Sequence, residues 1–175
     1  MHADENNPRT GMPCLRQPLV TDGAAIWDLV RACKPLDENS MYCNLIQTDH
    51  FAETCVVAEL DGEIVGWISG HIIPGQAVLF VWQVAVAQKM RGTGLARDML
   101  ADLVTRDICA DIAGLKTTIT KDNTASWRLF QSFARSIGAS LSDQEHFTQD
   151  QHFGGHHATE HMVTITFPEP KRKAA

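Results

Sequence analysis

The chain has 175 residues, enough for one domain with a substantial buried core. With 44% apolar and 21% charged residues it has the composition of a globular protein, and its net charge of −6 argues against a nucleic-acid duplex or an anionic membrane as the main partner. No apolar run approaches the ~20 residues that cross a bilayer.

Residues 1–13 are polar and lack an apolar h-region, so they read as a tail and not as a secretory leader. The five cysteines, Cys14, Cys33, Cys43, Cys55 and Cys109, are scattered, odd in number and without a C-x-x-C pair. That is the usage of small buried hydrophobes in a reducing compartment, and cytoplasm is the expected location.

Taken in chain order, residues 14–18 suggest a short first strand. Thr21 and Asp22 are cap residues for a helix whose apolar positions Ile26, Leu29, Val30 and Cys33 fall at i, i+3, i+4 and i+7. Pro35 stops it. Residues 36–51 are weakly patterned and predict a loop with one short helix over a binding site. Residues 55–60 and 63–71 predict two strands around Asp61-Gly62, a two-residue hairpin signal. Residues 78–86 are nearly all apolar, as in a central strand buried on both faces.

After Gly92 and Gly94, the residues Leu95, Met99, Leu100, Leu103, Val104 and Ile108 form one helical stripe. A strand over 115–120 leads to a second amphipathic helix through Ile137, with Trp127, Phe130, Ala134 and Ile137 inward and Gly138 closing it. Residues 139–147 and 161–167 are the last strands, separated by a histidine- and glycine-rich loop. The tail from Pro168 is basic. The order β-α-α-β-β-β-α-β-α-β-β predicts an α/β fold, a central mixed β-sheet flanked by helices on both faces. The domain reading is a tail at 1–13, one domain at 14–167 and a basic tail at 168–175.

The most informative segment runs from Val84 through Ala85 and Val86 to Arg91, Gly92, Thr93, Gly94, Leu95 and Ala96. A buried strand, a glycine turn and a helix start place consecutive backbone N–H groups around one hollow, where the helix dipole favours negative charge. Lys89, Arg91 and Arg97 add positive charge, so a polyphosphate ligand is expected. A Walker loop would require G-K-[ST], which is absent, and a dinucleotide G-x-G-x-x-G has Arg97 in its last position. A plain strand-to-helix turn is the remaining alternative.

Arg91-Gly92-Thr93-Gly94-Leu95-Ala96 fits the R/Q-x-x-G-x-G/A motif of GNAT acetyltransferases, and residues 14–167 resemble that superfamily in the order of their elements. The resemblance implies acetyl-CoA as cosubstrate, its pyrophosphate gripped by residues 91–96 with Arg97. It also implies a strand that splays from its neighbour, with the pantetheine arm on the backbone of Val84, Ala85 and Val86. Asn123 matches the family's later asparagine, another cofactor contact. Seven residues on, where many relatives carry a tyrosine that protonates the leaving thiolate, Phe130 stands. That leaves Tyr42, the only tyrosine, or water.

An amine must lose a proton before it attacks a thioester, which for a lysine-like ammonium of pKa ~10.4 costs about 4 kcal/mol near pH 7.5. The strand at 78–86 carries Trp82 and Gln83 but no carboxylate, so the base must come from elsewhere. Two segments offer one: residues 35–42, with Asp37, Glu38 and Tyr42, and residues 152–161, with His152, His156, His157 and His161 in the vicinity of Glu160.

Both, with Trp82, resemble the diaminobutyrate N-γ-acetyltransferases of ectoine biosynthesis, an osmoprotective pathway. This resemblance implies that Asp37 and Glu160 hold the substrate's ammonium groups, with Tyr42, Trp82 and His157 shaping the pocket. Glu160, His157 and Tyr42 are then the candidate catalytic groups, and a homodimer is implied.

The residues alone leave other readings open. Asp37, Asn39 and Ser40 suit a plain helix cap, and Trp82 suits a core. His152/His156 and His157/His161 have the i, i+4 spacing of metal ligands on a helix, but the glycines argue against a helix there and no metal is expected. Acetylation of another small amine or polyamine, or a non-catalytic CoA-binding role, are the competing functions.

Overall fold

Asp61 and Gly62 both take positive φ, 52° and 80°. That is the geometry a two-residue hairpin turn requires, and strands β2 (Val56–Leu60) and β3 (Glu63–Ile72) meet there with Leu60 opposite Glu63. The structure, a computed structural model, describes residues 11–168; the tail segments 1–10 and 169–175 lie outside the described residues. The other elements are β1 (Cys14–Arg16), α1 (Gly23–Ala32), α2 (Met41–His50), β4 (Val78–Val86), α3 (Leu95–Val104), β5 (Gly114–Thr120), α4 (Thr124–Ser136), β6 (Ser140–Phe147) and β7 (Glu160–Thr166).

The strands form one sheet in the order β1-β2-β3-β4-β5-β7-β6. All neighbours are antiparallel except β4 and β5. Short turns join the antiparallel neighbours β2–β3 and β3–β4, whereas β4 reaches its parallel neighbour β5 through the crossover helix α3.

Alternation along the strands supplies two cores. Val57, Trp67 and Ala85 face α1, where Ile26, Leu29, Val30 and Cys33 are buried at the predicted helical spacing. Val56, Ala58, Ile68 and Leu79 face the other way, against Met99, Leu100 and Leu103 of α3 and Phe130, Phe133 and Ala134 of α4. Each such large apolar side chain contributes roughly 1.5–3 kcal/mol by leaving water. Cys33, Cys55 and Cys109 are buried, and all five cysteines are free.

Several local expectations change. Asp22 does not cap α1; its carboxylate accepts from Leu19 N–H and pairs with Arg16. Residues 36–51 contain a full ten-residue helix, capped by Ser40, whose Oγ accepts from Cys43 N–H at 3.1 Å. Ile108 does not extend the α3 stripe, because the helix ends at Val104 and a following turn exposes Ile108 while burying Cys109. Trp82 departs from the buried strand around it, being 52% exposed.

The reason lies in register. Gln83 pairs with Ser69 and Val81 with Gly70, so Trp82 is an extra residue in β4, a bulge. Before it, Leu79 and Val81 face α3 and α4; after it, Ala85 faces α1, while Val84 and Val86 pack with the α3–α4 cluster. The bulge exchanges the strand's two faces.

Candidate active site

The bulge stands where β4 leaves β5. The two strands pair only at Val78, Leu79 and Phe80, opposite Gly114, Leu115 and Lys116. β5 then continues against β7 as far as Thr120 opposite Glu160, while β4 continues against β3 as far as Val86 opposite Gly66. Beyond Phe80, the edge of β4 facing β5 carries no strand partner. The backbone of Val84, Ala85 and Val86 runs along this open edge, where the groups not bonded to β3 are open to an extended ligand bearing amides, apart from Val86 O, which accepts from Arg91 Nε and Cys33 Sγ.

At the end of β4 the chain turns through Gly92 and Gly94, with φ of 78° and 93°, and enters α3. Gly94 is the N-cap and brings no capping side chain; Leu95 N–H donates to Thr93 Oγ1 at 3.4 Å, and the other first-turn N–H groups lack intrahelical partners. A Cβ at Gly92 would meet nothing within 4 Å, and one at Gly94 would meet only the Arg97 guanidinium at 3.4 Å. Thr93 Oγ1 donates to Met90 O at 2.8 Å and shapes the turn. Arg91 Nε donates to Val86 O at 3.2 Å, which holds its side chain along the strand end. Lys89 departs from the sequence reading, since it is paired with Glu63 at 2.5 Å and gives the loop less free charge than expected.

Asn123 stands at the end of β5 as N-cap of α4, its Oδ1 accepting from Ser126 N–H at 3.1 Å. Only its Nδ2 is left to donate to a ligand. Phe130 is 2% exposed in the α3–α4 core, so no phenol occupies that place. Tyr42, in the first turn of α2, is 71% exposed.

The two segments singled out in the sequence meet. His157 Nε2 lies 3.4 Å from Asp37 Oδ2. The other ring nitrogen, Nδ1, lies 2.8 Å from Ala158 O, an oxygen that only accepts, so Nδ1 carries the proton in the neutral ring. Nε2 then presents a lone pair beside a carboxylate. Two acceptors with no proton between them form a seat for an N–H donor, and Nε2 is the ring nitrogen open to accept a proton there.

Gln83, noted in the sequence only as no carboxylate, proves to hold this loop. Its Nε2 donates to Asp37 O at 2.9 Å, and its Oε1 accepts from Asn39 Nδ2 at 3.4 Å. A lone amide in an apolar strand was the available signal. Glu160 opens β7 opposite Thr120, half-buried at the mouth of the splay. The Asp122 carboxyl nearby is held below the usual carboxylate range, first by the Thr120 hydroxyl.

The histidines do not act as one group. His152 Nδ1 accepts from Thr148 N–H at 2.9 Å and closes the β6–β7 loop. His161 points into the opposite face, 6% exposed under Trp127, with Nδ1 3.2 Å from Asp143. Among the described residues no three ligand-type side chains converge as for a metal, and no helix is long and apolar enough to cross a membrane.

The profile of the acetyltransferase (GNAT) family matches residues 24–134. The L-2,4-diaminobutyric acid acetyltransferase of Methylotuvimicrobium alcaliphilum is 44% identical over 160 residues, covering 90% of this chain and 93% of that protein. The protein of the same name from Vibrio cholerae is 46% identical over 151 residues, covering 86% and 87%.

Among solved structures, the diaminobutyrate acetyltransferase EctA from Paenibacillus lautus, in complex with its substrate L-2,4-diaminobutyric acid and coenzyme A, superposes with a TM-score of 0.86 at 34% identity, covering 91% of this chain and 99% of that one. Ard1 from Thermoplasma volcanium shares the fold at 13% identity and a TM-score of 0.70. This chain belongs to the acetyltransferase (GNAT) family and, within it, to the diaminobutyric acid acetyltransferases.

Proposed function

We propose that the chain transfers the acetyl group of acetyl-CoA to the γ-amine of L-2,4-diaminobutyrate, releasing N-γ-acetyl-diaminobutyrate and CoA in ectoine biosynthesis, as a cytoplasmic homodimer. The observation that carries the reading is the meeting of Asp37 with His157 beside the open edge of β4, in a chain 44% identical to a protein named for this reaction.

The turn at residues 91–97 receives the pyrophosphate on backbone N–H groups, and Val84, Ala85 and Val86 offer their backbone to the pantetheine arm. Asn123 Nδ2 adds a donor. Asp37 and Glu160 attract the diamine's ammonium groups, while Trp82 and Tyr42 wall the pocket. His157 Nε2 takes one proton from the γ-ammonium, the freed amine attacks the thioester carbon, and the C–S bond breaks as the tetrahedral intermediate collapses. The second N–H proton of that intermediate passes through water or Tyr42 to the departing thiolate, since Phe130 has none to relay, leaving the amide and CoA thiol.

The regiochemistry follows from the substrate. Its α-amine sits beside the carboxylate and is bound with it, which leaves the γ-amine to reach the thioester. Ornithine and lysine carry the nucleophile past an attack distance of about 3–3.5 Å and are poorer acceptors. Mass spectrometry and NMR of the product test this: α-acetylation, or lysine used as well as diaminobutyrate, refutes it. Phe130 favours one competing reading, a CoA-binding module without turnover, and the same assay excludes it if product forms.

A further inference from the structure

Gln83 is the one amide side chain in β4 and is 8% exposed. A buried amide costs free energy unless its hydrogen bonds are made, and a polar residue that breaks the pattern of an apolar strand points to function. Both ends of this amide go to one loop: Nε2 donates to Asp37 O at 2.9 Å, and Oε1 accepts from Asn39 Nδ2 at 3.4 Å.

The bulge at Trp82 makes this tie possible. With even alternation, position 83 would share the face of Leu79 and Val81, against α3 and α4. The extra residue turns Gln83 to the face of Ala85, on the side of α1, and there it reaches the loop before α2.

Within residues 37–40 the side chains divide sharply. Glu38 pairs with Lys34 and, at 3.5 Å, with Arg31. Asn39 is bound to Gln83, and Ser40 caps α2. The Asp37 carboxylate makes no contact of that kind; it is 87% exposed and stands 3.4 Å from His157 Nε2. An exposed carboxylate has no packing to hold it, so its place is the place of its own backbone. Leu36 packs at the edge of the α1 cluster, but α2 fully buries only the polar Asn44, Gln47 and Thr48, so apolar anchoring of this segment is slight. The ion pairs of Glu38 are exposed, and pairs of that kind contribute little. The part-buried bond from Gln83 falls on the Asp37 carbonyl itself.

We propose that Gln83 is a positioning residue of the acceptor site: by clamping Asp37 O and Asn39 it sets the Asp37 carboxylate beside His157 Nε2, and so sets the affinity for the diamine. This rests on the reading above in which Asp37 holds a substrate ammonium. The test is steady-state kinetics on full-length Gln83→Met, which keeps the length and apolar fit of the side chain and removes both hydrogen bonds, on Asp37→Asn, and on the double variant. Gln83→Met raises KM for diaminobutyrate roughly tenfold, lowers kcat less, and leaves CoA affinity by calorimetry as in wild type. In the double variant KM is no higher than in Asp37→Asn alone, because the placement of a charge that has been removed no longer matters.

Losses that multiply in the double variant, or a fall in CoA affinity as large as the rise in KM, give Gln83 a structural role only and overturn the proposal. An unchanged KM in folded Gln83→Met does the same. Should that variant fail to fold, Asn39→Ala cuts the clamp from the loop, outside the sheet; KM then rises about threefold, again without adding to Asp37→Asn, and an unchanged KM overturns the proposal. If Asp37→Asn raises KM and neither clamp variant does, the clamp alone is removed. If Asp37→Asn leaves KM unchanged, the reading of Asp37 falls and the clamp falls with it.

Discussion

His157 has one ring nitrogen committed to a backbone carbonyl and the other beside Asp37, which orients the ring as a base for an incoming amine. Replacing it with glutamine keeps a polar side chain and removes the proton acceptor, so kcat should fall by about 10²–10⁴-fold, the usual yield of general-base catalysis, with CoA affinity unchanged. Asp37→Asn and Glu160→Gln should act mainly on KM for the diamine. Titration calorimetry of CoA and steady-state kinetics separate the two effects, and a His157→Gln variant with normal kcat removes His157 as the base.

At the same scale, Asp22 makes stability pH-dependent. Burial pushes its carboxyl up, but the Arg16 hydrogen bond, the Leu19 N–H and the Arg16 charge outweigh this and hold it below the usual carboxylate range. Its folded value is thus lower than its unfolded one, so its contribution is complete above the ordinary carboxylate pKa and lost as pH falls through the folded value. Asp22→Asn should cost about 1–3 kcal/mol in urea unfolding at pH 7. That difference should begin to shrink as pH falls below the ordinary carboxylate value of ~3.9 and disappear only once pH has passed below the folded value. A constant difference would show that the pair contributes nothing through charge.

At the scale of elements, the turn into α3 combines positive φ at Gly92 and Gly94 with an N-cap glycine that brings no capping side chain. A valine at Gly94 is strained at φ 93° and projects toward Arg97 over the first-turn N–H groups. The expected result is at least a tenfold loss of CoA affinity by calorimetry, the equivalent of one charge-assisted hydrogen bond. Backbone strain should lower stability by about 1–2 kcal/mol. Unchanged affinity removes the phosphate assignment.

The elements themselves were legible because turn residues and apolar spacing act locally: Asp61-Gly62, Gly138 and the stripes of α1 and α3 each announce their own geometry. The bulge at Trp82 was not. A run of apolar residues looks alike whether its faces alternate evenly or exchange halfway. The buried face of α2 was hidden for the opposite reason, since Asn44, Gln47 and Thr48 read as solvent-facing.

For the molecule as a whole, β6 lies at the sheet edge with most of its side chains exposed, and Phe147 on it is 38% exposed. An unpaired edge of this kind invites a second strand. On the homodimer reading, light scattering should give about twice the 19.3 kDa chain mass, and a monomer at micromolar concentration would refute it.

What the sequence by itself determined was the order of elements, the phosphate turn and the residue types able to bind an amine, because capping, turn formation and apolar periodicity depend on neighbours within a few positions. The tertiary structure alone decided that Asp37 and His157 share one seat, that Gln83 carries the loop between them, and that β4 parts from β5 after Phe80. Those facts depend on register between strands and on loops distant in the chain, and register is set by the packing of the whole sheet, which no local pattern encodes.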